Sequence, residues 1–220
     1  MRVVDLTHTI HAEMSVYPGT DPPRLEVANT LEEHGFIETF LGIVSHTGTH
    51  MDTPGHLIAG ATMLDNMPAS HFVTKALVID ASDVKEGEQI TMDYVNKVKD
   101  KADKADALLF RTDWDKYWGN EKKYFGEYPV IHDEVVDYCI ATKKKAVGFD
   151  VIGIDPMDES TPPNLPRHMK LFKAMDIVII ENLTKLSECG DDIFIFAALP
   201  LKYKDSDGAP TRAVGILDVL

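Results

Sequence analysis

The sequence predicts a single α/β domain that spans residues 1–220. Segments with the pattern of strands and of helices alternate in the second half of the chain, whereas strand patterns dominate the first half. The chain has no internal repeat, no low-complexity tract and no linker long enough to separate two domains. With 220 residues it is long enough to bury a substantial core.

Apolar segments bounded by polar or turn-forming residues give the order of the elements. The predicted strands cover residues 2–7, 75–80, 107–111, 146–151, 177–180, 193–199 and 213–217, and residues 40–45 lead into a histidine-rich segment at 46–56. The predicted helices cover residues 92–101, 134–143 and 167–175, and the second carries Val135, Tyr138, Cys139 and Thr142 on one side. The run at 177–180 is apolar on both faces, which predicts a buried central strand.

Composition and charge exclude several classes of function. The formal net charge of −14 disfavours nucleic acid and anionic membranes as partners, because both would repel the protein. No apolar run approaches the length of a bilayer span, and the first residues lack the apolar core of a signal peptide. The two cysteines, Cys139 and Cys189, lie far apart and form no paired motif. We therefore expect a cytoplasmic protein without a disulfide framework.

The segment at residues 46–56 reads His-Thr-Gly-Thr-His-Met-Asp-Thr-Pro-Gly-His and holds three of the nine histidines. Imidazole nitrogens and a carboxylate are ligands that divalent transition metals prefer. A lone histidine is more often a surface or core residue than a ligand, but the joint pattern is specific enough to predict a metal site.

Spacing within this segment predicts its geometry. Four residues have the same parity and would face one side of an extended strand: His46, His50, Asp52 and His56. His50 and Asp52 would then lie about 6.6 Å apart at Cα, close enough to reach one ion. His46 would lie roughly 13 Å from His50, so the backbone must bend between them, and Gly48 permits that bend. Glycine, proline and threonine disfavour a helix here, so we predict a kinked strand leading into a loop.

The second half of the chain offers two more candidate ligands. Glu181 follows four apolar residues, which places its carboxylate at the end of a buried strand, where α/β proteins commonly place their chemistry. His168 stands near the start of the predicted helix at 167–175, after a proline-rich approach. From the residues alone, the favoured interpretation is that Glu181 opens a turn and that His168 is an ordinary histidine.

The segment at 46–56 matches the pattern His-x-Gly-Thr-His-x-Asp-x-Pro-x-His and resembles the signature of the cyclase family, which includes bacterial kynurenine formamidases and isatin hydrolases. Three weaker resemblances extend over nearly the whole chain, at residues 4–8 with 16–19, at 109–114 and at 177–183. The resemblance implies the family's fold, a single cyclase-like domain of the swivelling β/β/α type with a mixed sheet.

The resemblance also implies a set of residue roles. The metal ligands would be His46, His50, Asp52, His168 and Glu181. One or two divalent ions are expected, with zinc favoured and manganese as the alternative. If two ions bind, Asp52 is the natural bridge, because a carboxylate has two oxygens to share. Family members are usually homo-oligomers, so a homodimer or homotetramer is expected.

The expected reaction is hydrolysis of the C–N bond of a small amide or formamide, as in arylformamidases. A bound divalent ion lowers the pKa of its water to about 7, so that hydroxide forms and attacks the carbonyl carbon. The resemblance assigns His56 as the general acid and base that protonates the departing amine. In a competing interpretation His56 is itself a ligand and solvent supplies the proton. Tyr17 could offer an aromatic face to a planar substrate, or it could be an ordinary packing residue.

Other functions remain open at this point. The nearest alternatives are hydrolysis of a cyclic amide such as isatin and another lyase or hydrolase reaction of the cyclase family. Two histidines and one carboxylate can also hold Fe(II) for oxygen chemistry. In a third possibility, a closed metal site only stabilises the fold.

Overall fold

The computed structural model describes residues 1–158, 160 and 163–219. Within them the strands are β1 (Arg2–Asp5), β2 (Arg24–Asn29), β3 (Glu38–Gly42), β4 (His50–Asp52), β5 (Val73–Asp80), β6 (Gln89–Ile90), β7 (Ala107–Arg111), β8 (Val130–Ile131), β9 (Ala146–Phe149), β10 (Val178–Glu181), β11 (Phe194–Pro200) and β12 (Gly208–Leu217). The α-helices are α1 (Leu31–His34), α2 (Pro54–Leu57), α3 (Met92–Asn96), α4 (Lys99–Ala102), α5 (Glu121–Tyr124), α6 (Asp133–Ala141) and α7 (Pro166–Ala174).

A mixed sheet of eight strands forms the centre of the fold, in the order β1-β12-β11-β5-β7-β9-β10-β4. Strands β5, β7, β9 and β10 run parallel, and the remaining pairs are antiparallel. Strand β4 also pairs with β12, which curls the sheet into a barrel-like shape. The predicted α/β fold with a mixed sheet is confirmed.

The sheet is buried on both faces, because its central strands alternate between two apolar cores. In β7, Leu108 and Phe110 face a core that includes Val135 of α6. Leu109, with the opposite parity, faces a second core that includes Phe196 of β11. Burial on both faces explains why these strands read as continuous apolar runs rather than as alternating patterns.

Where packing is dense, the observed boundaries of the strands and helices agree closely with those predicted from the sequence. Strand β7 covers the predicted residues, and α6 and α7 each begin one residue before the predicted helix. The single helix predicted at 92–101 is wrong. The chain leaves helical geometry at Val98, where φ is −130° and ψ is 26°, so two short helices form instead. Only Val95 and Ala102 of these two helices are buried, so packing does not require a continuous helix.

Strands β2 and β3 form a separate two-stranded sheet with α1 between them. We call residues 24–42 the hairpin arm. None of its residues is buried, and its exposed large apolar side chains include Val27, Phe36, Ile37 and Leu41. After the arm, the chain continues directly to His46. None of the helices that the structure describes has the length and apolar composition that a membrane span requires.

Candidate metal centre

The chain bends at Gly48, where φ is +64°, in the left-handed region that residues with side chains rarely adopt. Beyond the bend, His50 and Asp52 lie two residues apart in β4 and therefore on the same face of the strand. The predicted bend is therefore confirmed, but only residues 50–52 form a strand, and His46 lies in a turn before it. His56 lies in the short helix α2 rather than in a loop, because the proline at the first position of α2 favours a helical start.

Sheet pairing brings distant parts of the chain to the same place. Strand β4 lies between β10 and β12, and its register sets His50 opposite Glu181. Helix α7 adds His168, whose Nε2 lies 3.1 Å from Oε1 of Glu181 and 3.7 Å from Oδ2 of Asp52. The candidate ligands from both halves of the sequence thus form one buried cluster.

The tautomer of His50 follows from its hydrogen bond. Its Nδ1–H donates to the carbonyl oxygen of Gly48 at 2.8 Å. The other nitrogen, Nε2, is therefore the one that can bind a metal. It lies 3.3 Å from Oδ1 of Asp52 and 3.4 Å from Oε2 of Glu181. The bend at Gly48 thus also supplies the acceptor that orients this imidazole.

His168 is oriented by Asp155, a residue that the sequence reasoning did not select. Nδ1 of His168 lies 2.8 Å from Oδ2 of Asp155, so its Nε2 points toward Glu181. The same carboxylate accepts the backbone N–H groups of Arg167 and His168 at the start of α7. Asp155 therefore fixes both the helix start and the imidazole. It lies twelve residues before Arg167, so no helix-capping spacing could have revealed it.

His46 lies between two carboxylates. Its Nδ1 is 2.6 Å from Oδ1 of Asp52, and its Nε2 is 3.0 Å from Oδ2 of Asp207. Asp207 also escaped the sequence reasoning, since Asp207-Gly208 looks like an ordinary turn before a strand. Burial opposes protonation of His46, but the charges of Asp52 and Asp207 outweigh it and raise the pKa of His46 to about 10.

The two central carboxylates have opposite pKa shifts. Burial opposes the ionisation of Asp52, but the neighbouring His46 and His50 charges prevail and hold the pKa of Asp52 well below its ordinary value. Burial and the charge of Asp52 together raise the pKa of Glu181. Both carboxylates are nearly inaccessible to solvent, so their mutual repulsion is weakly screened. A divalent cation between them would relieve that repulsion.

The donor atoms suit such a cation. They form two groups that share Asp52, one with His46 and His56 and the other with His50 and Glu181. Within each group the donor atoms lie within 4.8 Å of one another. Imidazole nitrogen together with carboxylate oxygen is a donor set that fits a divalent transition metal.

His56 lies at the edge of the cluster. Its ring centroid is 4.0 Å from that of His46, and its Nδ1 is 3.5 Å from Oδ2 of Asp207. Burial lowers the pKa of His56. The negative charge of Asp52 opposes this shift, but the pKa remains below its ordinary value. At neutral pH the imidazole is therefore predominantly neutral. This position agrees with both interpretations of His56, as proton donor and as ligand.

A cavity of about 280 Å³ opens onto the cluster. Its walls are mainly apolar and aromatic, and they include Tyr17, Tyr128, Ile152, Met157 and Leu165. The predicted ligands and His56 line the same cavity. Tyr17 thus lies on the same cavity as the cluster.

The chain is similar to one family model, to curated relatives and to solved structures. A family model described as a putative cyclase matches residues 4–156. A kynurenine formamidase of Bacillus cytotoxicus is 29% identical over 217 residues, covering 96% of this chain and 95% of the relative. Isatin hydrolase A of Labrenzia aggregata, solved with benzyl benzoate, is similar with a TM-score of 0.85 and 25% identity over 97% of this chain and 93% of that one. A predicted metal-dependent hydrolase of Bacillus stearothermophilus has a TM-score of 0.75 and 25% identity, covering 97% of each chain.

Proposed function

This chain belongs to the cyclase family, and we propose that it is a metal-dependent hydrolase of a non-peptide C–N bond in a small amide. One observation carries the proposal: imidazoles and two buried carboxylates converge at one end of an apolar cavity. Relatives named kynurenine formamidase and a structural neighbour named isatin hydrolase support the same reaction class.

Five residues would hold the metal: His46, His50, Asp52, His168 and Glu181. Because Asp52 belongs to both donor groups, it would bridge the ions if two were bound. We propose zinc as the metal, with manganese as the alternative, since this donor set accepts both. When bound, such an ion activates water and polarises the substrate carbonyl.

The remaining residues would position the substrate and move its proton. His56 lies beside the ligands and is open to the cavity, so it can give a proton to the departing amine. Its neutral form would first have to take up the proton of the attacking water, as a general base that then acts as an acid. Tyr17 and Tyr128 would contact the planar body of the substrate.

An arylformamide is the substrate class we favour, and a cyclic aryl amide of the isatin type is the alternative. The formamide is favoured because the curated relatives that align over nearly the whole chain are named for that activity. The wall of the cavity suits the aromatic part of either substrate. An open cavity beside the donors argues against an ion that is only structural.

The decisive experiment is N-formylkynurenine and isatin hydrolysis by protein that has been stripped with a chelator and then given Zn²⁺ or Mn²⁺. We expect the stripped protein to be inactive and at least one ion to restore turnover, because the activated water depends on the metal. Tight metal binding with no hydrolysis of either amide would contradict the substrate proposal. Oxygen consumption that depends on Fe(II) would contradict the reaction class.

We further propose that the protein is a cytoplasmic homodimer or homotetramer. The location is supported by Cys139 and Cys189, which are buried and unpaired. Assembly is supported by the hairpin arm, since an isolated two-stranded hairpin with no core is marginally stable in water. Its exposed apolar side chains are the kind of surface that proteins cover on association.

Charges placed on the hairpin arm should dissociate the assembly. Val27 and Leu41 lie on one face of the arm, in adjacent strands. The double variant Val27→Glu/Leu41→Glu is expected to be monomeric, because each buried carboxylate costs several kcal/mol. Light scattering coupled to size exclusion measures this, with Glu32→Gln, at an exposed position of α1, as the control. A monomeric wild-type protein, or an unaffected double variant, would contradict the assembly proposal.

A further inference from the structure

The three candidate histidine ligands share one arrangement. Each points one ring nitrogen at the pair Asp52 and Glu181: Nδ1 of His46, Nε2 of His50 and Nε2 of His168. In each ring the other nitrogen contacts an oxygen outside the cluster. For His50 that oxygen is the carbonyl of Gly48, and for His168 it belongs to Asp155.

Asp207 completes this arrangement for His46. Its Oδ2 lies 3.0 Å from Nε2 of His46 and receives a hydrogen bond from Ser45 Oγ at 3.3 Å. Its Oδ1 accepts a hydrogen bond from the hydroxyl of Tyr203 at 3.2 Å. The backbone carbonyl of Asp207 accepts two hydrogen bonds from Thr53, the residue that follows β4. Hydrogen bonds thus connect both the side chain and the backbone of Asp207 to residues 45–53.

Gly208, the residue after Asp207, lies in close contact with the imidazole of His46. A Cβ atom at Gly208 would overlap the imidazole of His46, at Cε1. A residue with a side chain would therefore push the loop and its carboxylate away from the ring. The absence of a side chain at Gly208 allows Asp207 to reach Nε2.

We propose that Asp207 is a positioning residue, which holds the Nε2–H of His46 so that Nδ1 presents its lone pair to the metal. The inference rests on the proposed function, since it assigns His46 as a ligand. A ligand imidazole gives up one ring proton and keeps the other, and the hydrogen bond to Asp207 decides which. The same carboxylate oxygen also lies 3.5 Å from Nδ1 of His56.

The experiment compares Asp207→Ala, Asp207→Asn and the wild type in two readouts. The first is transfer of Zn²⁺ from the loaded protein to a coloured chelator, which measures metal affinity without substrate. The second is kcat and KM for the amide that the wild type hydrolyses. Asp106→Asn is the matched control, because Asp106 is 39% exposed against 38% for Asp207, also lies beside a basic group, and does not line the cavity.

Loss of an outer hydrogen-bond partner costs about 10- to 100-fold in metal affinity or activity, and we expect Asp207→Ala to fall in this range with kcat reduced and KM little changed. Asp207→Asn keeps an acceptor oxygen and should recover part of the loss. Thermal unfolding should show all variants folded.

A metal affinity and a kcat within twofold of wild type for Asp207→Ala would overturn the inference. Loss of a whole equivalent of metal would also overturn it, by making Asp207 a ligand. Zinc binding without hydrolysis by the wild type would refute the proposed function and leave the affinity comparison decisive.

Discussion

Replacing Asp52 with alanine is expected to empty the metal centre and abolish hydrolysis. The Asp52 carboxylate lies within 4 Å of a ring nitrogen on each of three histidines, His46, His50 and His168. It is also the one member that both donor groups share. Its removal should therefore reduce activity by more than the about 10- to 100-fold cost of losing an outer-shell partner. Elemental analysis of the purified variant, together with amide hydrolysis, measures both effects.

A buried carboxylate outside the cluster provides the control for this variant. Asp150 is buried to a similar degree, and its oxygens accept hydrogen bonds from Thr112 and Asp113. Asp150→Asn is expected to keep the metal that the Asp52 cluster binds, even if it lowers the free energy of unfolding. Full metal content in Asp52→Ala would show that the two donor groups do not form the metal site.

Replacing His56 with alanine should give the second large effect, with a different signature. The metal content should remain, while kcat falls by about 100- to 10,000-fold, the range for loss of a general acid or base. The physical reason is that the ring lies at the edge of the cluster, open to the cavity. In the proposed mechanism it would supply the proton that the departing amine needs. Metal analysis and steady-state kinetics of the same preparation separate the two quantities.

Chemical rescue makes the test of His56 specific. Added imidazole should restore part of the activity of His56→Ala, because the cavity would have space for the missing ring. His11→Ala, which removes an exposed histidine, should behave like wild type. A metal-free His56→Ala variant would instead assign His56 as a ligand, the alternative that the sequence left open.

The sequence predicts the fold best where burial dictates the pattern. Strand β7 has its predicted bounds because apolar residues on both faces leave little choice of conformation. Strand β12 was predicted only at 213–217, yet it begins at Gly208. Its first residues pair with β4, and this pairing depends on the curl of the whole sheet. No local pattern in the sequence reports such a contact.

The same distinction applies to the candidate site. Spacing within residues 46–56 and the strand-end position of Glu181 identified residues that the structure brings together. Asp155 and Asp207 escaped notice because each is a single carboxylate in a connecting segment. Their relation to His168 and His46 arises from tertiary contacts, not from spacing along the chain. Residues that support a site from outside are thus harder to find in a sequence than the residues that form it.

The double pairing of β4 has a consequence for biosynthesis. During translation His50 and Asp52 leave the ribosome early, but their neighbours across the sheet are Glu181 and residues 208–210. A nascent chain that ends before β12 therefore holds all five proposed ligands but lacks the strand that pairs with the second edge of β4. Pairings of such long sequence separation also slow folding, because a large loop must close before these long-range contacts form. Metal capture would then wait until β10 has been synthesised and has paired with β4.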